Sequence, residues 1–192
     1  GDQRLLANIL HDKARLHTAL GELEESQALL QEANQIRETV SDRVGVLNTT
    51  LERAIVARER NDQATAHAVL DEAQAIAESI QSPTHLADIA LNRGWLALLR
   101  DDVSEAQAHF DRAQALLDTS DAAHLRASLH LLRAIWLARV GDYASAARLL
   151  GQAERSEVRN RRDIQALVRD ADALIAPNLP AQDYARARRG DA

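Results

Sequence analysis

The stretch Gly141-Asp142-Tyr143-Ala144-Ser145-Ala146-Ala147-Arg148-Leu149-Leu150-Gly151-Gln152-Ala153 decides the fold. It opens on a turn dipeptide. It then places a small residue at 146, a large apolar one at 150 and a small one at 153, one face of a helix. The same arrangement occurs three times earlier. Gly21-Glu22-Leu23 precedes Ser26, Leu30 and Ala33; Asn61-Asp62-Gln63 precedes Ala66, Leu70 and Ala73; Asp101-Asp102-Val103 precedes Ala106, Phe110 and Ala113. The turns begin at 21, 61, 101 and 141, a constant step of 40 residues. A fixed step of this size is the mark of a repeat architecture, in which each unit buries its apolar face against the next.

Outward from those turns the chain reads as helices throughout. Leu6, Ile9, Leu10, Leu16 and Leu20 predict a helix over about 3–20, closed by Gly21. Further helices are expected over about 23–39, 43–60, 63–80, 83–100, 103–118, 121–140 and 143–155. Ser41-Asp42 and Thr119-Ser120-Asp121 serve as N-terminal caps, and Ser82-Pro83 as the clearest boundary. After Ala153 the rhythm fails. A ninth helix over about 158–175 puts Ile164, Leu167, Val168, Ala171, Leu174 and Ile175 on one face and Arg159, Arg161, Arg162, Asp163, Arg169 and Asp170 on the other. That is the composition of a helix closing a stack. Pro177 and Pro180 end it, a short helix over about 180–188 folds back on it, and the last three residues fray. The expected domains are four repeats, about 3–40, 43–80, 83–118 and 121–155, with a capping helix and tail over 156–192.

Composition agrees. The 192 residues are 46% hydrophobic and only 3% aromatic, with 7 Gly and 3 Pro, which favours helix. The net charge of −6 is mixed in sign, so no dedicated nucleic-acid surface is expected. Cysteine is absent, which removes disulfides and thiolate chemistry and fits a reducing, cytoplasmic setting. No apolar run is long enough to span a membrane and no secretion signal is read. A chain that starts Gly1-Asp2 and holds no Met reads as a segment of a larger protein.

Small residues recur on the first helix of each unit as well: Ala14, Ala54, Gly94 and Ala134. Together with the Gly-Asp-Tyr turn and the Ala146, Leu150, Ala153 series, this resembles the tetratricopeptide repeat over about residues 3–155. It departs from that family in its step of 40 rather than 34, in lacking aromatics early in the first helix, and in its single inter-unit proline, Pro83. The resemblance implies an all-α, right-handed α-solenoid of four helical hairpins with a C-terminal capping helix. It also implies a non-catalytic protein-interaction scaffold. The long repeats look like those of large bacterial multidomain regulators.

Two sets of residues are candidates for binding. The resemblance places His11, Arg15, Leu51, Ile55, Arg58, Leu91, Trp95, Leu98, Leu131, Ile135 and Arg139 along an inner groove. Leu91, Trp95, Leu131 and Ile135 would then form an apolar strip for a peptide or an amphipathic helix, or pack against another domain. The family's two-carboxylate clamp is not expected: Asn48 and Asn92 lie at comparable places, but the basic members do not align. The second set is the basic column Lys13, Arg53, Arg93 and Arg133, spaced by 40 and flanked by apolar neighbours. It reads as a structural ladder paired with Glu32, Asp71 or Glu72, and Asp111. It also reads as an anion-binding line, or as side chains reaching to solvent.

No catalytic set, metal site or cofactor loop is expected. The seven histidines form no i, i+4 pair, and no Gly-rich phosphate loop or Gly-x-Ser-x-Gly occurs. Asn48-Thr49-Thr50 and Arg189-Gly190-Asp191 match a glycosylation sequon and an adhesion tripeptide by chance. The first functional reading is a scaffold for a protein or peptide partner, which includes another domain of the same polypeptide. The second is an effector-sensing domain of a signalling or transcriptional regulator. A homodimer is a third possibility.

Overall fold

The computed structural model describes residues 2–156 and 162–190, and every described element is helical. The helices are α1 (Asp2–Leu20), α2 (Leu23–Thr39), α3 (Arg43–Glu59), α4 (Gln63–Ser79), α5 (Pro83–Leu99), α6 (Val103–Leu117), α7 (Ala123–Arg139), α8 (Tyr143–Glu154), α9 (Arg162–Ile175) and α10 (Ala181–Arg189). A single 3-10 turn, Ala176–Asn178, separates the last two. The fold is an all-α array of helical pairs, as expected of an α-solenoid. It divides into two compact units, Gly1–Ile89 and Ala90–Ala192, with the division inside α5. In the first unit α1 packs on α2, α2 on α3 and α3 on α4; in the second, α6 packs on α7, α7 on α8 and α9, and α8 on α10.

The step of 40 is a doubled step of 20, and the linkers explain it. Most links consist of a C-cap residue, one left-handed residue and an N-cap residue. The left-handed residues are Gly21, Ser41, Asn61, Gln81, Asp101 and Gly141, with φ between +53° and +88°. At each, the left-handed residue and the one after it donate a pair of backbone hydrogen bonds to carbonyls of the helix end. At the first inter-hairpin link, the Ser41 N–H donates to the Glu38 carbonyl (3.0 Å) and the Asp42 N–H to the Arg37 carbonyl (2.8 Å). This is the Schellman pattern, which satisfies carbonyls the helix leaves open. The residue after it starts the next helix. The carboxylates of Asp42, Asp62, Asp102 and Asp142 accept from the backbone N–H of Gly45, Thr65, Glu105 and Ser145. The link after α6 departs from this form. α6 stops at Leu117 and the N-cap of α7 is Ala122, with no side-chain cap, so Asp121 does not cap that helix. Ser120 Oγ instead accepts from the Ala122 N–H at 3.2 Å.

The repeat positions are core as read. Ala14, Ala54 and Ala134 are buried, as are Ser26, Ala66, Ala106 and Ala146, with Leu30, Leu70, Phe110 and Leu150 behind them. The third repeat makes an exchange. A Cβ on Gly94 would lie 2.4 Å from Phe110 Cε1, so glycine provides the room that the larger ring fills. On α1 only part of the apolar periodicity that predicts the helix is buried. Leu6, Ile9, Leu16 and Leu20 of α1 are exposed, and the buried residues of that helix are Ala7, Leu10 and Ala14.

The two C-terminal helices form where expected among the described residues, but α10 packs on α8, with side-chain bonds to Asp172 of α9, rather than simply folding back on α9. Ile164, Leu167, Ala171 and Ile175 are buried, while Leu174 is exposed. The start of the expected ninth helix, residues 157–161 with Arg159 and Arg161, and the side chains of Arg162 and Asp163 lie outside the described residues. α10 docks on α8 through Arg188. Its guanidinium donates to both carboxylate oxygens of Glu154 and, at 3.0 Å, to Asp172. Gly151 permits the approach, since a Cβ there would lie 1.8 Å from the Arg188 carbonyl oxygen.

Candidate functional site

In the first unit, α1, α3 and the start of α5 each carry polar residues, of which Asn8, Asn48 and Asp88 are repeat equivalents. Asn8, His11 and Arg15 recur at helical spacing on α1; Asn48, Glu52 and Ile55 do so on α3; His85 and Asp88 begin the same series on α5. These side chains are tied to one another. The Arg15 Nε lies 3.7 Å from the Glu52 carboxylate. His85 Nε2 is 3.0 Å from Asn48 Oδ1, and its Nδ1 is 2.6 Å from Ser82 Oγ. Glu52 is buried, and burial raises its pKa against the opposing pull of Arg15. Burial lowers His85, and burial together with Arg37 and Arg15 brings His11 down to about 4. Both imidazoles are therefore neutral at neutral pH and serve as hydrogen-bonding groups rather than charges.

Behind this face stands Arg37, a residue the sequence reading passed over. It is 2% exposed. Its guanidinium donates to the Gly45 carbonyl (2.8 Å), to Thr49 Oγ1 and to Asn8 Oδ1 (3.1 Å), and it approaches His11 Nδ1 at 3.5 Å. The signal for it was present in the 40-residue register. Arg37 occupies the position of Ala77 and Leu117 in the later repeats, a buried apolar slot. Two neighbouring slots differ in concert. Gly45 stands where α7 has Leu125, and a Cβ there would lie 2.8 Å from Arg37 Cδ; Thr49 stands where α5 and α7 have Ile89 and Leu129. The glycine makes room for the arginine and the threonine accepts from it. A buried guanidinium needs such partners to offset its lost hydration. From there Arg37 holds Asn8 and orients His11.

The remaining groove residues fall differently. Leu51, Leu91, Leu98, Leu131 and Ile135 are buried, at most 7% exposed, so they build the core and present no apolar strip. For Leu51, Leu131 and Ile135 the reason is that α3 packs on both α2 and α4, and α7 on α6, α8 and α9. Ile55, Arg58 and Trp95 are half-buried. Arg58 contacts Glu59 at 2.8 Å. In the second unit, exposed Arg139 donates to the Leu98 carbonyl (2.7 Å) and to Asp101, which ties α7 to the α5–α6 turn.

Two members of the basic column sit beside acids, one on the second helix of its own repeat and one on that of the preceding repeat. Arg53 lies 3.4 Å from Glu72 and Arg133 lies 2.7 Å from Asp111. Arg133 also donates to Gln114 at 3.3 Å. Arg93 is half-buried and lies close enough to His109 to help lower its pKa, behind the larger effect of burial. Lys13 is exposed. Among the described residues no group of three metal-binding side chains converges, and no helix is long and apolar enough to cross a membrane.

No curated protein matches the chain in sequence. Residues 5–79, which span α1 to α4, match the family model of the tetratricopeptide repeat. Helical pairs with the same small and large apolar positions continue at the same step through α8. Over residues 5–79 the chain is thus similar to the tetratricopeptide repeat, and the described residues beyond them continue as all-α helical pairs of the same kind.

Proposed function

We propose that the chain is a non-catalytic interaction module that binds a peptide or helix of a partner protein along the first-helix face of its first unit. Tetratricopeptide repeats in general mediate protein–protein interaction. The observation that carries the more specific reading is the set of polar side chains on α1, α3 and α5, which are already paired among themselves. Asn8 and His11 are held from behind by Arg37, Asn48 by His85, and Glu52 by Arg15. Groups fixed before binding lose little freedom when a partner arrives. Arg15, with 44% of its side chain exposed, supplies a cation, and half-buried Ile55 supplies an apolar contact. The reading replaces the apolar strip with a mixed polar face, so the partner is a segment with hydrogen-bonding and acidic groups rather than a wholly apolar helix. We place the module in the cytoplasm on the absence of cysteine alone.

The test is peptide-display selection on the immobilised chain. Enriched peptides are expected to carry an acidic residue and to lose binding to Ile55→Asp and Arg15→Glu. Peptides that bind these variants as well as the wild type would remove the face from the account. The reading as an effector-sensing domain of a regulator rests on family resemblance. A thermal-shift screen with sugars, nucleotides and peptides tests it; stabilisation by a small molecule alone would favour it.

A further inference from the structure

We propose that the outer face of α1 is a second docking surface, independent of the polar face, and that it takes an amphipathic helix with the pattern of this chain's own second helices. Leu5, Ile9 and Leu16 are 61%, 55% and 43% exposed. At roughly 100° per residue they share one side of α1, nearly opposite its buried Ala7, Leu10 and Ala14. The repeat register states what these positions do elsewhere. Leu125 and Leu129, the equivalents of Leu5 and Ile9 on α7, are buried at 5% and 0%, and Val56, the equivalent of Leu16 on α3, is buried at 4%.

The helices that carry these equivalents, α3 and α7, pack on the second helix of the preceding repeat. Val56 belongs to a core cluster with Leu30 of α2. On α7 the partner is α6. The Trp136 Nε1 donates to the Val103 carbonyl at 2.8 Å, and Arg133 is bonded to Asp111. Charge is compatible with the match: in the basic column Arg53 pairs with Glu72 of its own repeat, and Arg133 pairs with Asp111 of the preceding one. Lys13 is the α1 member of the basic column, equivalent to Arg133, and it stands exposed beside the apolar stripe. A helix seated on α1 as α6 sits on α7 would bring an acid to Lys13. Its small, large and small residues, as in Ala106, Phe110 and Ala113, would lie on Leu5, Ile9 and Leu16. A second copy of this chain cannot offer α8 for this role, because α9 and α10 already pack against that helix.

The probe is a synthetic peptide of residues 101–120, hydrocarbon-stapled across the exposed positions Ala108 and Arg112, labelled and titrated against the whole chain by fluorescence anisotropy. Saturable binding is expected. Replacing exposed Ile9 with Asp should weaken it by about tenfold or more, as should Phe110→Asp in the peptide. Lys13→Glu should weaken it too, and Asp111→Lys in the peptide should restore binding to that variant. Failure to bind, or binding indifferent to Ile9→Asp, overturns the proposal. So does a dimer in light scattering that Ile9→Asp converts to monomer, since the occupant would then be a second copy. Ile55→Asp leaves this binding unchanged, which separates it from the polar face.

Discussion

Gly94 and Phe110 offer a quantitative test of the repeat packing. Placing Ala at 94 puts a Cβ 2.4 Å from Phe110 Cε1, 2.8 Å from Cδ1 and 3.0 Å from Cζ, so the ring must leave its position. Overpacking of this kind costs about 1–3 kcal/mol. The helix propensity of Ala over Gly returns about 0.8–1 kcal/mol. The expected net loss for Gly94→Ala is therefore about 0–2 kcal/mol. Phe110→Leu alone leaves a void beside Gly94 and is expected to lose about 1–2 kcal/mol. Together they recreate the pairs Ala14 with Leu30, Ala54 with Leu70 and Ala134 with Leu150, all of which this chain buries. The double variant should thus be more stable than the sum of the singles implies, by about 1 kcal/mol or more. Urea unfolding followed by far-ultraviolet circular dichroism gives all three values. Additivity within about 0.5 kcal/mol would refute the idea that the glycine exists to admit the ring.

Other expectations follow from the linkers, the histidine and the C-terminal helix. Gln81 has φ of +53°, so Gln81→Gly should stabilise the chain by up to about 1 kcal/mol, while Gly141→Ala (φ of +88°) should destabilise it by a similar amount in thermal unfolding. Asp102→Ala removes the cap bond to the Glu105 N–H and should lose about 1 kcal/mol by the same assay. His11 is held at about 4 by burial, then Arg37 and Arg15, with Asp12 opposing, against an ordinary 6.5. The unfolded chain binds that proton at higher pH, so the associated stability is full above about 6.5 and falls as pH drops towards 4. The loss between pH 7 and pH 4.5 should shrink by roughly 2 kcal/mol in His11→Asn. Gly151→Ala should undock α10, seen as faster tryptic cleavage at Arg186 and Arg188 with the far-ultraviolet spectrum nearly unchanged.

The helices and their ends were legible because each rests on local chemistry: Asp caps, left-handed residues and the small and large positions repeat at fixed intervals. The buried face of α1 was less legible than the helix itself. Leu6, Ile9, Leu16 and Leu20 form as good an apolar stripe as any, and periodicity alone does not say which stripe a neighbour covers. Leu91, Leu131 and Ile135 were misplaced for a related reason. They lie at positions that are inward in the family, yet here they are core. Arg37 was legible only by comparing repeats with one another. Its partners Gly45 and Thr49 are 8 and 12 residues away on the next helix, and nothing local marks them as its partners.

The most direct test of the interaction account is a backbone amide chemical-shift map of the chain titrated with a peptide selected on it. The account predicts shifts clustered at Asn8, Arg15, Asn48, Ile55 and His85, all lost in the Ile55→Asp variant. Shifts confined to Leu5, Ile9 and Leu16 would assign the selected peptide to the outer face of α1 instead. Shifts confined to the second unit would contradict the account.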